Sequence, residues 1–422
     1  MAKNRKKYYL WVLGCQMNKA DSEKVAAVLD GCGCDQAADE NQADIIVAVA
    51  CSVRQSALDR IYGKAQQWQK RRIRGGLTAV LTGCVLEFDK KKIAGLFDAV
   101  IAIKDIGRLP GILKLDRSEF FSTGGYFSLA PHYASSFRAY VPIMTGCDNF
   151  CAYCVVPYVR GREVSRPVRE IIKECENLIK KGYKEITLIG QNVNSYSAAG
   201  FGFPRLLKKI DDLPGDYWLR FATSHPKDLS AALLDVMANG KHLTPYLHLP
   251  IQAGDAAMLK AMNRHYTPSD YLRLVSSARK KMPGIMISTD IIVGFPGESK
   301  KQFNNTAKLM RQAQFDMAYI ARYSPRAGTA AARLRDNVPR EEKKRRERAL
   351  TEILKRTALK NNKKLINKTV KVLVDGCKNC KGTGKTETFK TVAFTGADSL
   401  IGHFVAVRIT DASSWGLTGE LV

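Results

Sequence analysis

Residues 146–154 read Gly146-Cys147-Asp148-Asn149-Phe150-Cys151-Ala152-Tyr153-Cys154, three thiols separated by three and then two residues. Three thiolates can hold three corners of a cubane 4Fe-4S cluster and leave the fourth iron free to take a substrate. An open iron beside a reducible cluster is a reactive site. Positions i, i+4 and i+7 also share one face of a helix, so a buried cysteine stripe is the plain alternative. Gly146, Asp148, Asn149 and Pro157 favour turns, which puts the thiols in a loop after a strand at 139–144. A zinc site would need a fourth ligand at close spacing, and the nearby sequence has none.

Upstream of this loop, to about residue 130, apolar runs at 8–13, 45–49 and 77–81 read as strands, with helical stretches such as 22–30 and 55–70 between them. Each strand runs to a cysteine: Cys15, Cys51 and Cys84. In an open parallel sheet the loops at the C-terminal ends of the strands converge, so three thiols distant in sequence can form a second set of three. Taken one at a time, each is equally readable as a core residue. Gly14, Ala50 and Gly83 put a small residue before each thiol, as a tight turn beside a bulky group requires. Cys32, Cys34 and Cys175 lack that setting and read as structural.

From 131 to 357 strands are expected at 138–144, 185–189, 218–221, 246–249, 285–293 and 317–323, with amphipathic helices such as 168–181 and 269–281 between several of them. Six strand-helix units make a partial (β/α)6 barrel. Chemistry in parallel barrels gathers at the C-terminal ends of the strands. Those ends carry residues 147–154, Gly190-Gln191-Asn192, Ser224-His225, Gln252-Ala253-Gly254 and Gly294-Phe295-Pro296-Gly297. Any one of these turns alone is an ordinary loop, and their common location is what carries weight. A stretch from 333 to 364 holds thirteen Lys or Arg against five Asp or Glu. It reads either as a solvated helical face or as a phosphate-binding one through Arg340, Lys343, Lys344, Arg345 and Arg346. After it, short alternating runs at 370–374, 391–394 and 404–409 with Gly- and Thr-rich turns mark a small β-barrel over 358–422, a common RNA-binding appendage. The fold class is therefore α/β: an N-terminal open parallel domain (1–130), a central partial barrel (131–357) and a small C-terminal β-barrel.

Sixty-seven Lys and Arg against forty Asp and Glu give a formal charge of +27, which points to a polyanionic partner. No apolar run reaches the length of a membrane span. The basic residues 1–7 lead into a segment of strand length without a small-residue cleavage site, so a cytoplasmic protein is expected. Eleven cysteines, an odd number, suggest metal or redox chemistry ahead of disulfides.

The order of parts resembles the radical S-adenosylmethionine (SAM) methylthiotransferase family over essentially the whole chain. The C-terminal piece resembles a TRAM domain in Gly402-His403-Phe404-Val405-Ala406-Val407-Arg408-Ile409-Thr410 and Leu417-Thr418-Gly419-Glu420. Residues 154–167, with Val155-Val156-Pro157-Tyr158 and Arg162-Glu163-Val164-Ser165-Arg166, and Gly190-Gln191-Asn192-Val193-Asn194-Ser195-Tyr196 most resemble the branch that acts on isopentenyladenosine in tRNA. The resemblance implies that Cys147, Cys151 and Cys154 hold the catalytic 4Fe-4S cluster and Cys15, Cys51 and Cys84 an auxiliary one. It implies a SAM cradle that includes Tyr153, Gln191, Gln252, Arg264, Ile292, Gly294 and Tyr323. Two SAM molecules would be used, one as methyl donor to sulfur and one as source of a 5′-deoxyadenosyl radical that takes hydrogen from C2 of the adenine. Implied partners are the anticodon loop of tRNA and a reducing protein such as flavodoxin or ferredoxin, with the enzyme itself a monomer and no membrane involved. Relatives in the same family modify threonylcarbamoyladenosine in tRNA or an aspartate of a ribosomal protein. The chain departs from the pattern twice. Gly190-Gln191-Asn192 stands where many radical SAM enzymes have Gly-Gly-Glu, and Cys377-Lys378-Asn379-Cys380 is either half of a zinc ribbon or a tight turn. The rival class is an RNA-binding protein stapled by structural clusters. Structural clusters are normally closed by four cysteines, and both sets here have three.

Anaerobically reconstituted protein is expected to carry about eight irons, two sets of four. Changing Cys147, Cys151 and Cys154 together to Ala should leave about four. Iron analysis with SAM-cleavage assays checks this, and release of 5′-deoxyadenosine by the triple variant on reduction would refute the assignment.

Overall fold

The structure is a computed structural model that describes residues 5–51, 55–115 and 125–422. Packing groups the chain into two compact units. The smaller comprises Met1–Ala134, Thr145–Arg166 and Ser324–Ala332, and the larger Ser135–Met144, Pro167–Tyr323 and Arg333–Val422.

The smaller unit is built on five parallel strands in the order Asp35–Gln36, Lys7–Leu13, Ile45–Cys51, Thr78–Cys84, Ala99–Val100. The central strand, Ile-Ile-Val-Ala-Val-Ala-Cys, is buried on both faces, as a parallel sheet covered on both sides requires. Its alternate residues Ile46, Ala48 and Ala50 pack with Leu58, Ile61, Ala65 and Trp68 of the helix Gln55–Ile73. Trp68 meets Trp11 and Phe97 edge-on at 5.8 and 6.3 Å, an arrangement aromatic quadrupoles favour. The small Ala residues on the strand leave room for these rings.

In the larger unit six parallel strands form two sheets of three, Arg138–Pro142, Glu185–Ile189 and Trp218–Phe221, then Tyr246–His248, Met286–Val293 and Met317–Arg322. A parallel bridge between Leu219 and Leu243 links them, which makes the expected open six-stranded barrel. The C-terminal barrel is closed and five-stranded: Thr369–Lys378, Lys381–Thr386, Thr391–Thr395, Leu417–Leu421, Phe404–Ala412. Val372, Val374, Val392, Phe394, Val407, Ile409 and Leu417 fill it. The strand Lys381–Thr386 is hidden in the sequence by its glycines. A Cβ on Gly384 would lie 2.4 Å from the carbonyl oxygen of Leu373, and one on Gly382 would lie 2.7 Å from the Phe394 ring, so closure of the barrel demands them. Cys377-Lys378-Asn379-Cys380 is a tight turn. Lys378 pairs with Lys381 across a two-residue loop whose Asn379 and Cys380 both have positive φ, 53° and 59°, the pattern of a type I′ hairpin.

Within the larger unit the small barrel is fastened by a buried polar cluster at the N-terminal ends of the parallel strands. Arg220 Nε donates to Glu185 Oε2 at 2.7 Å, Nη1 donates to Thr244 Oγ1 and the Glu387 carbonyl oxygen, and Nη2 donates to that of Thr386. Its guanidinium lies 5.0 Å from both the Trp218 and Phe389 rings. Arg138 completes the cluster by pairing with Glu185 at 2.6 Å.

The basic stretch is the helix Arg340–Lys363, and its charges are not all available to a partner. Lys343, Arg346, Leu350, Leu354 and Ala358 fall on its buried stripe. Lys343 Nζ donates to Asp336 at 2.6 Å and Arg346 Nη1 to Glu298 at 2.6 Å. Helical spacing thus turns two of the five named basic residues inward, which corrects their reading as phosphate contacts.

Arg220→Ala would leave Glu185 with less compensation and two carbonyls without donors in a buried cluster, at a cost of about 3–5 kcal/mol. Denaturant unfolding and limited proteolysis near residue 388 check this. A loss below about 1 kcal/mol would show that the cluster does not fasten the small barrel.

Candidate active site

In the smaller unit, parallel pairing sets Cys51 opposite Cys84 at the ends of their strands. Cys15 follows the neighbouring strand Lys7–Leu13 and caps the helix Gln16–Gly31. The three thiols therefore stand at one edge of one sheet, with Cys84 buried, Cys51 half-buried and Cys15 exposed. The glycines before two of them have a reason within the protein itself. A Cβ on Gly14 would lie 2.2 Å from Asn18 Oδ1, and Gly83, at φ +105°, would bring one within 2.3 Å of the Ala50 carbonyl oxygen. They make room for a neighbouring side chain and strand. Asn18 accepts the Cys15 N–H at 3.4 Å and donates to the Ala50 carbonyl oxygen at 3.4 Å, which ties the cap to the central strand.

Donation by the Cys51 thiol, followed by the charge of Arg160, holds the Cys84 thiol down to about 6 against the effect of burial. The ligand form of a thiol is the thiolate, so Cys84 is biased toward the form that binds iron, while burial and the neighbouring Cys84 push the Cys15 thiol up. Among the described residues no three His, Cys, Asp or Glu side chains are grouped to hold a single metal ion. A cubane takes each thiolate on a different iron and so suits thiols that are gathered more widely. Arg160 supplies a further mark of fit. Its side chain is 1% exposed, its Nε donates to Cys84 Sγ at 3.0 Å and its Nη2 to Asp21 Oδ2 at 2.5 Å, while its buried Nη1 has no hydrogen-bond partner among the described residues.

Cys147, Cys151 and Cys154 lie in a loop of the same unit, which removes the helical stripe. The Cys147 N–H donates to the Gly161 carbonyl oxygen and that of Cys154 to the Cys151 carbonyl oxygen. Gly146, at φ +82°, lies so close to Arg162 that a Cβ would meet its carbonyl oxygen at 1.9 Å. Pro157 does not end the loop as a turn residue; it occupies the first turn of the helix Val156–Arg160, where its missing N–H costs nothing. All three thiols are half-buried, and Tyr153 lies between two of them in sequence.

The larger unit places the other named residues on turns after its strands. Gln252, at φ 70°, donates its N–H to the Asp290 carbonyl oxygen and accepts that of Ile292, and the Tyr323 N–H donates to the Val293 carbonyl oxygen. Tyr323 meets Phe295 edge-on at 5.2 Å, and Lys343 presses on Gly294. Gln252, Ile292, Gly294 and Tyr323 are thus gathered at the end of one sheet. Arg264 braces this turn, with Nη2 donating to the Pro250 carbonyl oxygen at 2.8 Å and Nε to the Tyr266 hydroxyl at 2.7 Å. Gln191 belongs to the turn after Glu185–Ile189, on the other sheet. Several buried polar atoms on these turns have no hydrogen-bond partner among the described residues: Gln191 Oε1, both side-chain amide atoms of Asn194, Ser224 Oγ and the Tyr323 hydroxyl. Native interiors rarely leave such atoms unsatisfied, so their grouping on strand-end turns fits a polar ligand such as SAM.

Asn18, Asp21 and Glu298 escaped the sequence reading, and Arg160 and Asn194 entered it only within stretches that carry the resemblance, with no role of their own. Asn18 alone carried a signal, three residues after a capping position. Glu298 is 3% exposed and accepts both the Gly294 N–H and Arg346, and so fixes the glycine turn.

The chain matches the radical SAM superfamily over residues 141–310, the Uncharacterized protein family UPF0004 over 7–103 and the TRAM domain over 363–422. It is 39% identical over 437 residues to a tRNA-2-methylthio-N(6)-dimethylallyladenosine synthase of Clostridium novyi, covering 99% of this chain and 97% of that one. A synthase of the same name from Syntrophomonas wolfei is 40% identical over 435 residues, covering 98% and 97%. Among solved structures, the apo cobalamin-dependent SAM radical enzyme OxsB superposes with a TM-score of 0.55 at 11% identity, covering 85% of this chain and 56% of that one. The radical SAM methyltransferase TsrM of Kitasatospora setae gives 0.51 at 15%, covering 78% and 77%. These two likenesses concern the fold. No helix among the described residues is long and apolar enough to cross a membrane.

His225, on the turn after Trp218–Phe221, is 5% exposed and its pKa is pushed well below the ordinary value, first by burial and then by Arg264. Its Nδ1 accepts the Lys227 N–H, so the folded chain holds it neutral. The unfolded chain protonates it below about pH 6.5, so it costs stability as pH falls from there, by about 1.4 kcal/mol per unit at the limit. Denaturation across pH 7.5–5 should show a shallower decline for His225→Gln than for the unsubstituted protein; equal slopes would contradict this.

Proposed function

The chain belongs to the family of tRNA-2-methylthio-N(6)-dimethylallyladenosine synthases, and from that premise we propose that it methylthiolates C2 of N6-isopentenyladenosine at position 37 of tRNA. The observation that carries this is identity of 39–40% with those synthases over nearly the full length. When bound, SAM and the two clusters would supply one-electron cleavage of SAM and a methylated sulfur for transfer. We assign Cys147, Cys151 and Cys154 to the cluster that reduces SAM, and Cys15, Cys51 and Cys84 to an auxiliary cluster that holds the sulfur. Tyr153 in the smaller unit, and Gln191, Gln252, Arg264, Ile292, Gly294 and Tyr323 in the larger, are assigned to SAM. The unpartnered Gln191 and Tyr323 atoms support the last assignment.

The chain's own task is to select and orient an adenine edge and to keep water from the reacting carbon. Base 37 is unpaired in the anticodon loop, so it can be turned out at a cost of a few kcal/mol. Burial of the five prenyl carbons would contribute roughly 3–4 kcal/mol, enough to offset that cost and to favour prenylated tRNA. The exposed part of the +27 charge suits the phosphate backbone. We place the enzyme in the cytoplasm as a monomer, supplied with electrons by a small reducing protein such as flavodoxin or ferredoxin.

Reconstituted enzyme with SAM and reductant should methylthiolate tRNA bearing isopentenyladenosine far faster than the same tRNA with unmodified adenosine. Equal turnover, or activity only on threonylcarbamoyladenosine or a ribosomal protein, would overturn the substrate assignment. Changing Cys15, Cys51 and Cys84 together to Ala should preserve reductive cleavage of SAM and abolish methylthio transfer, measured as 5′-deoxyadenosine against product nucleoside. Normal product from that variant would remove the sulfur-donor role.

A further inference from the structure

Arg160 stands six residues after Cys154, the last thiol of the loop, yet its guanidinium is spent on the other set of thiols. Burying a cation at 1% exposure is costly unless it is paired, and Asp21, itself fully buried, supplies the pair. Tyr126 donates its hydroxyl to the second Asp21 oxygen at 2.8 Å and fixes the carboxylate from the far side. A carboxylate held from both sides needs only one guanidinium nitrogen, so pairing accounts for Nη2 alone. Nε is placed on Cys84 Sγ at 3.0 Å, and Nη1 is buried without a hydrogen-bond partner among the described residues. An Arg in so dry a place ordinarily uses all five donors.

We propose that Arg160 is a positioning residue of the group held by Cys15, Cys51 and Cys84, with Nε donating to the Cys84 sulfur and Nη1 donating to sulfur of the cluster itself, so that the cluster is more easily reduced. This rests on the assignment of an auxiliary cluster to those thiols. Reduction adds negative charge to the cluster and its sulfurs. N–H donors and a fixed cation in a dry site stabilise the more negative state, and hydrogen bonds to sulfur are among the main determinants of cluster potential. Asp21 and Tyr126 hold the guanidinium in place, so its effect needs no rearrangement when the electron arrives.

The test is a redox titration of full-length reconstituted protein without SAM, followed by electron paramagnetic resonance, with the two clusters told apart by repeating it on variants that keep one set of thiols each, Cys147, Cys151 and Cys154 changed to Ala or Cys15, Cys51 and Cys84 changed to Ala. Arg160→Met paired with Asp21→Asn removes both charges and so avoids stranding a buried carboxylate; Arg160→Lys keeps the charge and loses the planar fork. The proposal expects the auxiliary midpoint to move to more negative potential in the double variant, by less in Arg160→Lys, and the SAM-binding cluster to stay where it was. If the double variant fails to fold, Arg160→Lys decides alone. Eight irons with an unmoved auxiliary midpoint, or equal shifts at both clusters, would overturn the proposal while leaving the cluster assignment intact. Four irons in the unsubstituted protein would remove both.

Discussion

Parallel pairing brings the C-terminal ends of neighbouring strands to one edge of a sheet, and that constraint governs where the sulfur chemistry of this chain sits. Cys51 and Cys84 are thirty-three residues apart in sequence and face one another only because Ile45–Cys51 and Thr78–Cys84 run side by side in register. Cys15 joins them because Lys7–Leu13 pairs with the same central strand. A one-residue slip in either pairing would move the thiols along and across the sheet. The apolar core between Ile46, Leu58, Ile61 and Trp68 prevents that slip by burying alternate residues, so packing far from the thiols fixes their positions.

The glycines and the buried charges serve the same end. Gly14, Gly83 and Gly146 stand where backbone or Asn18 comes too near for a side chain, and each precedes a thiol. Several of the buried basic residues are committed within the protein: Arg220 fastens the small barrel, Lys343 and Arg346 support the Gly294 turn, and Arg160 is bound to Cys84 and Asp21. The charge available to RNA is therefore smaller than the formal total.

Much of this was legible in the sequence where local pattern and tertiary environment agree. Glu185–Ile189 and Trp218–Phe221 are legible to the residue because each is a short run rich in aliphatic, β-branched and aromatic residues and buried on both faces, its one charged residue included. The thiol loop was legible because Gly146, Asp148 and Asn149 contradict a helix. What was hidden depends on distant partners. Lys381–Thr386 looks like a linker until Phe394 and Leu373 explain its glycines. Lys343 and Arg346 look like surface charge until Asp336 and Glu298 are brought to them. Arg160 carried no local signal, since Cys84 and Asp21 reach it only in the folded unit.

The central claim is that this chain places a methylthio group on isopentenyladenosine in tRNA. Mass spectrometry of nucleosides from the tRNA of a strain lacking the protein tests it most directly. The account predicts loss of 2-methylthio-N6-isopentenyladenosine with accumulation of N6-isopentenyladenosine, reversed by the intact gene and not by one with Cys147, Cys151 and Cys154 changed to Ala. An unchanged level of the methylthiolated nucleoside in a strain with no second enzyme of this family, or loss of a threonylcarbamoyl derivative instead, would contradict it.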